Sequence, residues 1–137
     1  MKLDELLAVA AAQWPHKRAL IFPDSEQTFS GLQANARRKA RSLICAGVRA
    51  GDHVGILSLN LPEYVESIFA INMAGATAVP LNARYRGAEL KQVIADSDIR
   101  LLFTTSQFDD RVDFCAHLTD CYPELSTSLD SSQLRIG

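Results

Sequence analysis

GDHVGILSLNLPEYVESIFAINMAGATAVPLN, residues 51–82, decides the fold. Its first part, residues 53–59, is an apolar run with Val54, Ile56 and Leu57 near the centre, preceded by Gly51-Asp52 as a turn. A short apolar run between turn residues suits a strand buried on both faces. Asn60 follows in N-cap position, Glu63 stands three residues on to complete a capping box, and Pro62 sits in the first turn, where its missing N–H costs nothing. Val65, Ile68, Phe69 and Asn72 continue at helical spacing, and Gly75 falls where a left-handed helix end is wanted. Residues 76–81 read as a second strand. Two buried strands joined by one helix make a βαβ unit, whose crossover is right-handed almost without exception.

Working outward, Leu3, Leu6, Leu7 and Ala10 share one face of a helix that should stop before Pro15. Residues 18–22 and 27–29 are short strands around Pro23-Asp24-Ser25-Glu26, and they suit an N-terminal β-hairpin. Ser30, with Gln33 three residues on, is expected to cap the next helix. Leu32, Ala36, Ala40, Leu43 and Ile44 line its buried face, and Gly47 ends it. After residue 82 comes a polar loop to Gly87. Residues 88–96 then read as a helix with Leu90, Val93 and Ile94 inward, residues 99–103 as a third buried strand, and residues 109–121 as a helix with Val112, Cys115, Ala116 and Leu118 in a rough apolar stripe. Residues 122–137 are serine-rich and aperiodic, so the expected organisation is an α/β subdomain over 1–121 and an irregular tail over 122–137. The fold class is α/β, with a mainly parallel sheet flanked by helices and a short N-terminal β-hairpin.

Composition bounds the function. The 137 residues are 47% apolar and 22% charged, with a net charge of −2, which is ordinary for a globular protein and points to neither nucleic acid nor an acidic membrane. A chain of this length buries roughly two-thirds of its unfolded surface, enough for a real core. No apolar run approaches the ~20 residues of a membrane span. Residues 6–12 are apolar, but Asp4 and Glu5 precede them where a signal peptide carries positive charge, so they read as part of a mature helix. Cys45, Cys115 and Cys121 make an odd count without a CxxC pair, which argues for a reducing compartment, and the cytoplasm is the expected location.

The stretch GDHVGILSLNLPEYVESIFAINMAGATAVPLNARYRGAEL resembles the N-terminal part of the AMP-forming acid–CoA ligases, the acyl-adenylate-forming enzymes. That family shows a GD-V-I-L-N-PEY stretch, a helix ending in AG, a VP-LN segment and an EL. The likeness reaches back to Thr28-Phe29-Ser30 with Leu32 and forward through Asp96 and Leu102, and so covers residues 3–103. Its specificity lies in the order and spacing of many pieces, which identify a family and not a substrate. The resemblance implies ATP, Mg2+ and CoA as cofactors of a full-length parent, and the parent's remaining subdomains as partners. In the family, the Ser/Thr/Gly-rich phosphate loop, the ribose-binding aspartate and the catalytic lysine all lie farther downstream. The expectation is therefore an N-terminal piece that is inactive alone, with no catalytic residue to name. Its face for the missing subdomains would favour self-association. The alternative is a standalone binding module.

Candidate chemistry within the chain is sparse. Arg84, Tyr85 and Arg86 interleave two cations with an aromatic in the loop after the second strand, at the carboxyl end of the sheet, where open α/β sheets hold ligands. They are the candidate site for a ligand or a CoA phosphate, unless they pair with carboxylates of a neighbouring subdomain. Arg37, Arg38, Lys39 and Arg41 read as a solvated helix face. His16, His53 and His117 lack ligand spacing, and His53 reads as structural. Asp109, Asp110 and Asp113 read as first-turn helix acids, and no metal site is expected. Cys45 reads as a small core residue. No GxSxG elbow is present, and the seven glycines form no phosphate-holding loop, neither GxxxxGK nor GxGxxG.

Overall fold

A computed structural model describes residues 2–105, 107–108 and 112–126. The elements run α1 (Leu3–Gln13), β1 (Arg18–Phe22), β2 (Ser25–Thr28), α2 (Phe29–Cys45), β3 (His53–Leu57), α3 (Pro62–Met73), β4 (Thr77–Pro80), α4 (Gly87–Asp96), β5 (Ile99–Thr104), β6 (Gln107–Phe108), β7 (Val112–Asp113) and α5 (Phe114–Cys121), with a 3-10 turn at Pro123–Ser126. They divide into two compact units, one formed by Met1–Gly51 with Asn60–Thr77, the other by Asp52–Leu59 with the chain from Ala78 onward. The division cuts across the βαβ stretch, whose helix falls in the first unit and whose strands build the second. No helix is long and apolar enough to cross a membrane among the described residues.

In the first unit β1 and β2 form the expected antiparallel hairpin, with Phe22 opposite Ser25 across a two-residue Pro23-Asp24 turn. Leu7 of α1 and Leu32 and Ala36 of α2 make its core, and Leu20, Val65, Phe69 and Met73 pack against them. The expected α1 face is displaced. Leu7 and Ala11 are buried, while Leu3 and Leu6 are 38% and 48% exposed. Its contact centres on the i, i+4 pair Leu7 and Ala11, and it leaves Leu3, at the start of that row, and Leu6, beside it, partly open. On α2 the stripe Leu32, Ala36, Ala40 and Leu43 is buried as expected, but Ile44 and Cys45 are exposed, one and two positions round from its end.

Helix ends follow cap chemistry more closely than capping-box spacing. Thr28, not Ser30, caps α2, its Oγ1 accepting from the Gly31 N–H at 3.1 Å, because β2 ends there in extended geometry and the helix follows directly. Ser30 instead donates its hydroxyl to the Pro15 carbonyl at 2.8 Å. For α3 the cap position is Leu61, with Pro62 in the first turn, so Asn60 lies one residue outside and forms no capping box. Gly75 does terminate α3. At φ +76° it donates to the Asn72 carbonyl while Ala76 donates to that of Ile71, the paired bonds of a Schellman motif.

The second unit is built on a three-stranded parallel sheet in the order β4-β3-β5. Val54 pairs with Leu101, Ile56 with Phe103 and Leu57 with Thr104. Val54 to Leu57 are all buried, as a strand covered on both faces requires. Leu90 and Ile94 of α4 and Phe114 and Leu118 of α5 close the core with Leu57, Leu81 and Ile99. The expected helix over 109–121 is shorter, beginning at Phe114 after the antiparallel pair β6–β7. Asp113 caps it, accepting from the Ala116 N–H at 2.9 Å, and this turns Phe114 into the core and leaves Cys115 and Ala116 exposed. Asp109 and Asp110 lie outside the described residues. Tyr122 is buried and Leu125 packs on the same core, so the packed structure continues past residue 121. Residues 127–137 of the expected tail also lie outside the described residues.

Candidate functional site at the carboxyl end of the sheet

Three parallel strands end together in the second unit, and the polar groups there hold the loop after β4 in one shape. Pro80 ends β4 and has no N–H, but the Leu81 N–H donates to the Ile56 carbonyl at 2.9 Å and carries the pairing one residue further. The Thr104 hydroxyl donates to the Leu57 carbonyl at 3.0 Å and ties the ends of β3 and β5. Asn82 then folds the loop on itself. Its side-chain oxygen accepts from the Arg84 N–H and its carbonyl from the Tyr85 N–H, each at 3.0 Å. This local side-chain bond is why asparagine favours such turns.

The Arg84, Tyr85, Arg86 triplet does three different things. Tyr85 is partly buried and packs against the core that contains Leu81 and Leu90. Arg86 donates Nη1 to the carbonyls of Ala83 and Tyr85, both at 2.7 Å, and so buttresses its own loop. Arg84 is exposed, and its guanidinium engages no partner among the described residues. The hydrogen-bonded loop thus presents an exposed, permanently charged fork of donors, the chemistry that grips phosphate or carboxylate oxygens. One residue beyond β5, the Thr105 hydroxyl is buried without a partner among the described residues.

A second polar centre, in the first unit, escaped the sequence reading. Glu66 of α3 is 5% exposed. One carboxylate oxygen accepts from Gln27 Nε2 and Asn35 Nδ2, each at 2.8 Å, and the other pairs with the Lys39 ammonium at 2.8 Å. Burial works against the charged form, but the bonds from Lys39, Gln27 and Asn35 together outweigh it and hold the carboxyl below its ordinary value. Lys39 therefore leaves the solvated face expected for residues 37–41, while Arg37, Arg38 and Arg41 remain exposed. The available sign was Glu66 itself, a charged residue four positions before Ala70 on a mostly apolar helix. Its donors stand 27 to 39 residues away in the chain, and no local pattern announces them. The carboxylate joins β2, α2 and α3, and its oxygens are taken up by protein donors.

The remaining candidates are dispersed. His53 Nδ1 lies 2.7 Å from the Ser97 carbonyl, a structural contact as expected. His117 packs edge-on to Phe114 with ring centroids 6.4 Å apart. Cys45 and Cys115 are exposed free thiols, and Cys121 is a buried one that donates to the Gly87 carbonyl at 3.2 Å. Among the described residues no three histidine, cysteine or acidic side chains converge on a metal position.

Comparison with known proteins places this architecture. A family model described as AMP-binding enzyme matches residues 7–135. The chain is 36% identical over 105 residues to an acyl-CoA ligase of Aspergillus fumigatus, a match that covers 75% of this chain and 18% of that protein. It is 37% identical over 107 residues to a feruloyl-CoA synthase of an Amycolatopsis species, covering 72% and 22%. Among solved structures, the o-succinylbenzoate CoA synthetase of Bacillus subtilis, bound to its acyl-adenylate intermediate, superposes with a TM-score of 0.73 at 32% identity, over 81% of this chain and 29% of that one. The chain thus spans about a fifth of the length of the curated relatives it matches. With the family pattern running almost end to end and the same fold beneath it, the chain belongs to the AMP-binding enzyme family.

Proposed function

We propose that these 137 residues are the N-terminal scaffold of an AMP-forming acid–CoA ligase. The observation that carries this reading is a family match over residues 7–135 by a chain that covers only 18% and 22% of its relatives' lengths. The whole reaction has two steps. A carboxylate oxygen of the acid attacks the α-phosphorus of ATP and pyrophosphate leaves. The CoA thiolate then attacks the acyl carbon, and AMP leaves with the electron pair of the broken C–O bond. The chain carries no glycine-rich loop of the kind that cradles the phosphates of ATP. No step of adenylation is assigned to these residues.

What this segment supplies is a wall. The ends of β3, β4 and β5 form a rigid edge, and Arg84 is the group there that fits a phosphate of CoA. Arg86 and Tyr85 hold the loop that presents it. The free thiols and the ATP- and CoA-dependent chemistry suit the cytoplasm.

The test is carboxylate-dependent exchange of pyrophosphate into ATP, run on the purified 137-residue chain with Mg2+, CoA and a panel of aliphatic and aromatic acids. Removing one transition-state donor alone costs ~10²- to 10³-fold, so the chain should match a blank. In the intact ligase, Arg84→Ala should raise KM for CoA and leave adenylation unchanged. Exchange above blank from the 137 residues would overturn the scaffold reading.

A further inference from the structure

Little holds α1 to the first unit. Of its 11 residues only Leu7 and Ala11 are buried, while Leu3, Leu6 and Val9 are each more than a third exposed. Among the described residues no hydrogen bond or ion pair joins Leu3–Gln13 to another element, since the bonds these residues make stay between Lys2 and Trp14. The chain just beyond the helix is fastened. The Pro15 carbonyl accepts from the Ser30 N–H at 3.2 Å and from the Ser30 hydroxyl at 2.8 Å, and the Lys17 carbonyl accepts from the Phe29 N–H at 3.0 Å. The Lys17 ammonium also lies 5.6 Å from the centre of the Trp14 ring. One end of α1 is therefore pinned, and its length rests on the seat that Leu32 and Ala36 make for Leu7. A helix this short is marginal by itself in water, so α1 melts when it leaves that seat.

Charge adds to this slight packing. A groove of about 350 Å3 runs between the two helices, lined by Asp4 and Glu5 from α1 and by Arg37 and Arg41 from α2. The side chains of Asp4, Arg37 and Arg41 have no bonded partner among the described residues, and no ion pair bridges the groove. Opposite charges thus attract across a gap open to water, where salt screens them. We infer that α1 is a strap: it hinges at Trp14, opens and melts ahead of the rest of the first unit, and is latched by Arg37 and Arg41 acting on Asp4 and Glu5. The other helices of this unit are held differently. α2 and α3 each bury four residues against two for α1, and the Glu66 carboxylate bonds them to each other and to β2 without reaching α1. Opening bares the seat of Leu7, so the latch governs how much apolar surface this unit exposes. The inference does not depend on the ligase reading, since the strap is a property of the first unit whatever the protein catalyses.

Hydrogen exchange on the purified 137-residue chain, read amide by amide by NMR at fixed pH, tests it. After correction for intrinsic rates, the amides of Leu7 to Gln13 should exchange about a hundredfold faster than those of Ala40 and Leu43 on the buried face of α2. Raising salt from about 0.05 to about 0.5 M should speed exchange in α1 about threefold and leave those α2 amides unchanged. Arg37→Gln with Arg41→Gln removes the latch and leaves the α1 sequence intact. It should speed α1 exchange about fivefold at low salt and abolish the salt response. Arg37→Lys with Arg41→Lys keeps the charge and should match wild type. Each single glutamine variant should give about a twofold effect, which decides the matter should the double variant fail to fold. Protection in α1 equal to that of α2 would overturn the strap. A salt response that survives the loss of both arginines would overturn the latch, because it would then come from the charges of α1 acting on their own helix.

Discussion

Replacing Lys39 by methionine removes the cation that pairs with Glu66, and the structure sets the size of the effect. The carboxylate keeps two neutral amide donors, from Gln27 and Asn35, but loses a 2.8 Å ammonium contact in a site that burial already makes costly for charge. Breaking a fully buried pair costs ~3–5 kcal/mol. Lys39 is about a quarter exposed, at 24% for its side chain against 7% for that of Glu66, so water relieves part of the loss. About 2–3 kcal/mol is then expected at pH 7, or roughly 6–12 °C in Tm for a chain of this length. The pH dependence has a definite sign. Because the folded-state carboxyl lies below its ordinary value of 4.5, its stabilisation is complete above that value and is lost as pH falls through the lower folded value. In Lys39→Met the opposing effect of burial has less to balance it, so the carboxyl rises and protonates earlier. The difference between wild type and variant should therefore shrink as pH falls below 4.5. Urea unfolding at pH 7 and at successive acid points measures both quantities. A loss under 0.5 kcal/mol at neutral pH, or one that stays constant across the acid range, would refute the assignment of Glu66 as a charged, Lys39-dependent clip.

Two further outcomes check the packing and the loop. At Gly55 a Cβ would come within 2.5 Å of Leu102 Cδ1 and 2.9 Å of Ile99 Cδ1, both inside the second unit. Gly55→Ala should therefore cost ~1–3 kcal/mol by overpacking, read as a lower urea midpoint. In the β4–α4 loop, Arg86→Ala removes two hydrogen bonds to carbonyls and should measurably increase hydrogen exchange at the Asn82-bonded amides of Arg84 and Tyr85. Arg84→Ala removes none and should leave that exchange unchanged.

Much of the architecture was legible because it follows from local rules. Helical periodicity, short apolar runs and turn residues located the hairpin, α2, β3, α3, β4, α4 and β5. Gly47 and Gly75 marked helix ends because a left-handed residue there costs glycine little, at φ +89° and +76°. The order of many short pieces carried the family. Where two local rules competed, spacing alone misled. Ser30 and Asn60 have capping-box spacing, but Thr28 and Leu61 hold the extended backbone that a cap needs. Asp113 likewise starts α5 later than apolar periodicity implied.

Tertiary structure decided which charged residues matter and what each one does. Arg84, Tyr85 and Arg86 are three adjacent letters, and only the folded loop separates an exposed guanidinium from a core ring and a buttress. Lys39 looks like its neighbours Arg37, Arg38 and Arg41 in sequence. It differs because α3 brings Glu66 to its tip from 27 residues away. Apolar burial repeats with the helix and strand periods, so one chain segment announces it. A buried charge is stabilised by partners from elsewhere in the chain, and those partners exist as a group only after folding.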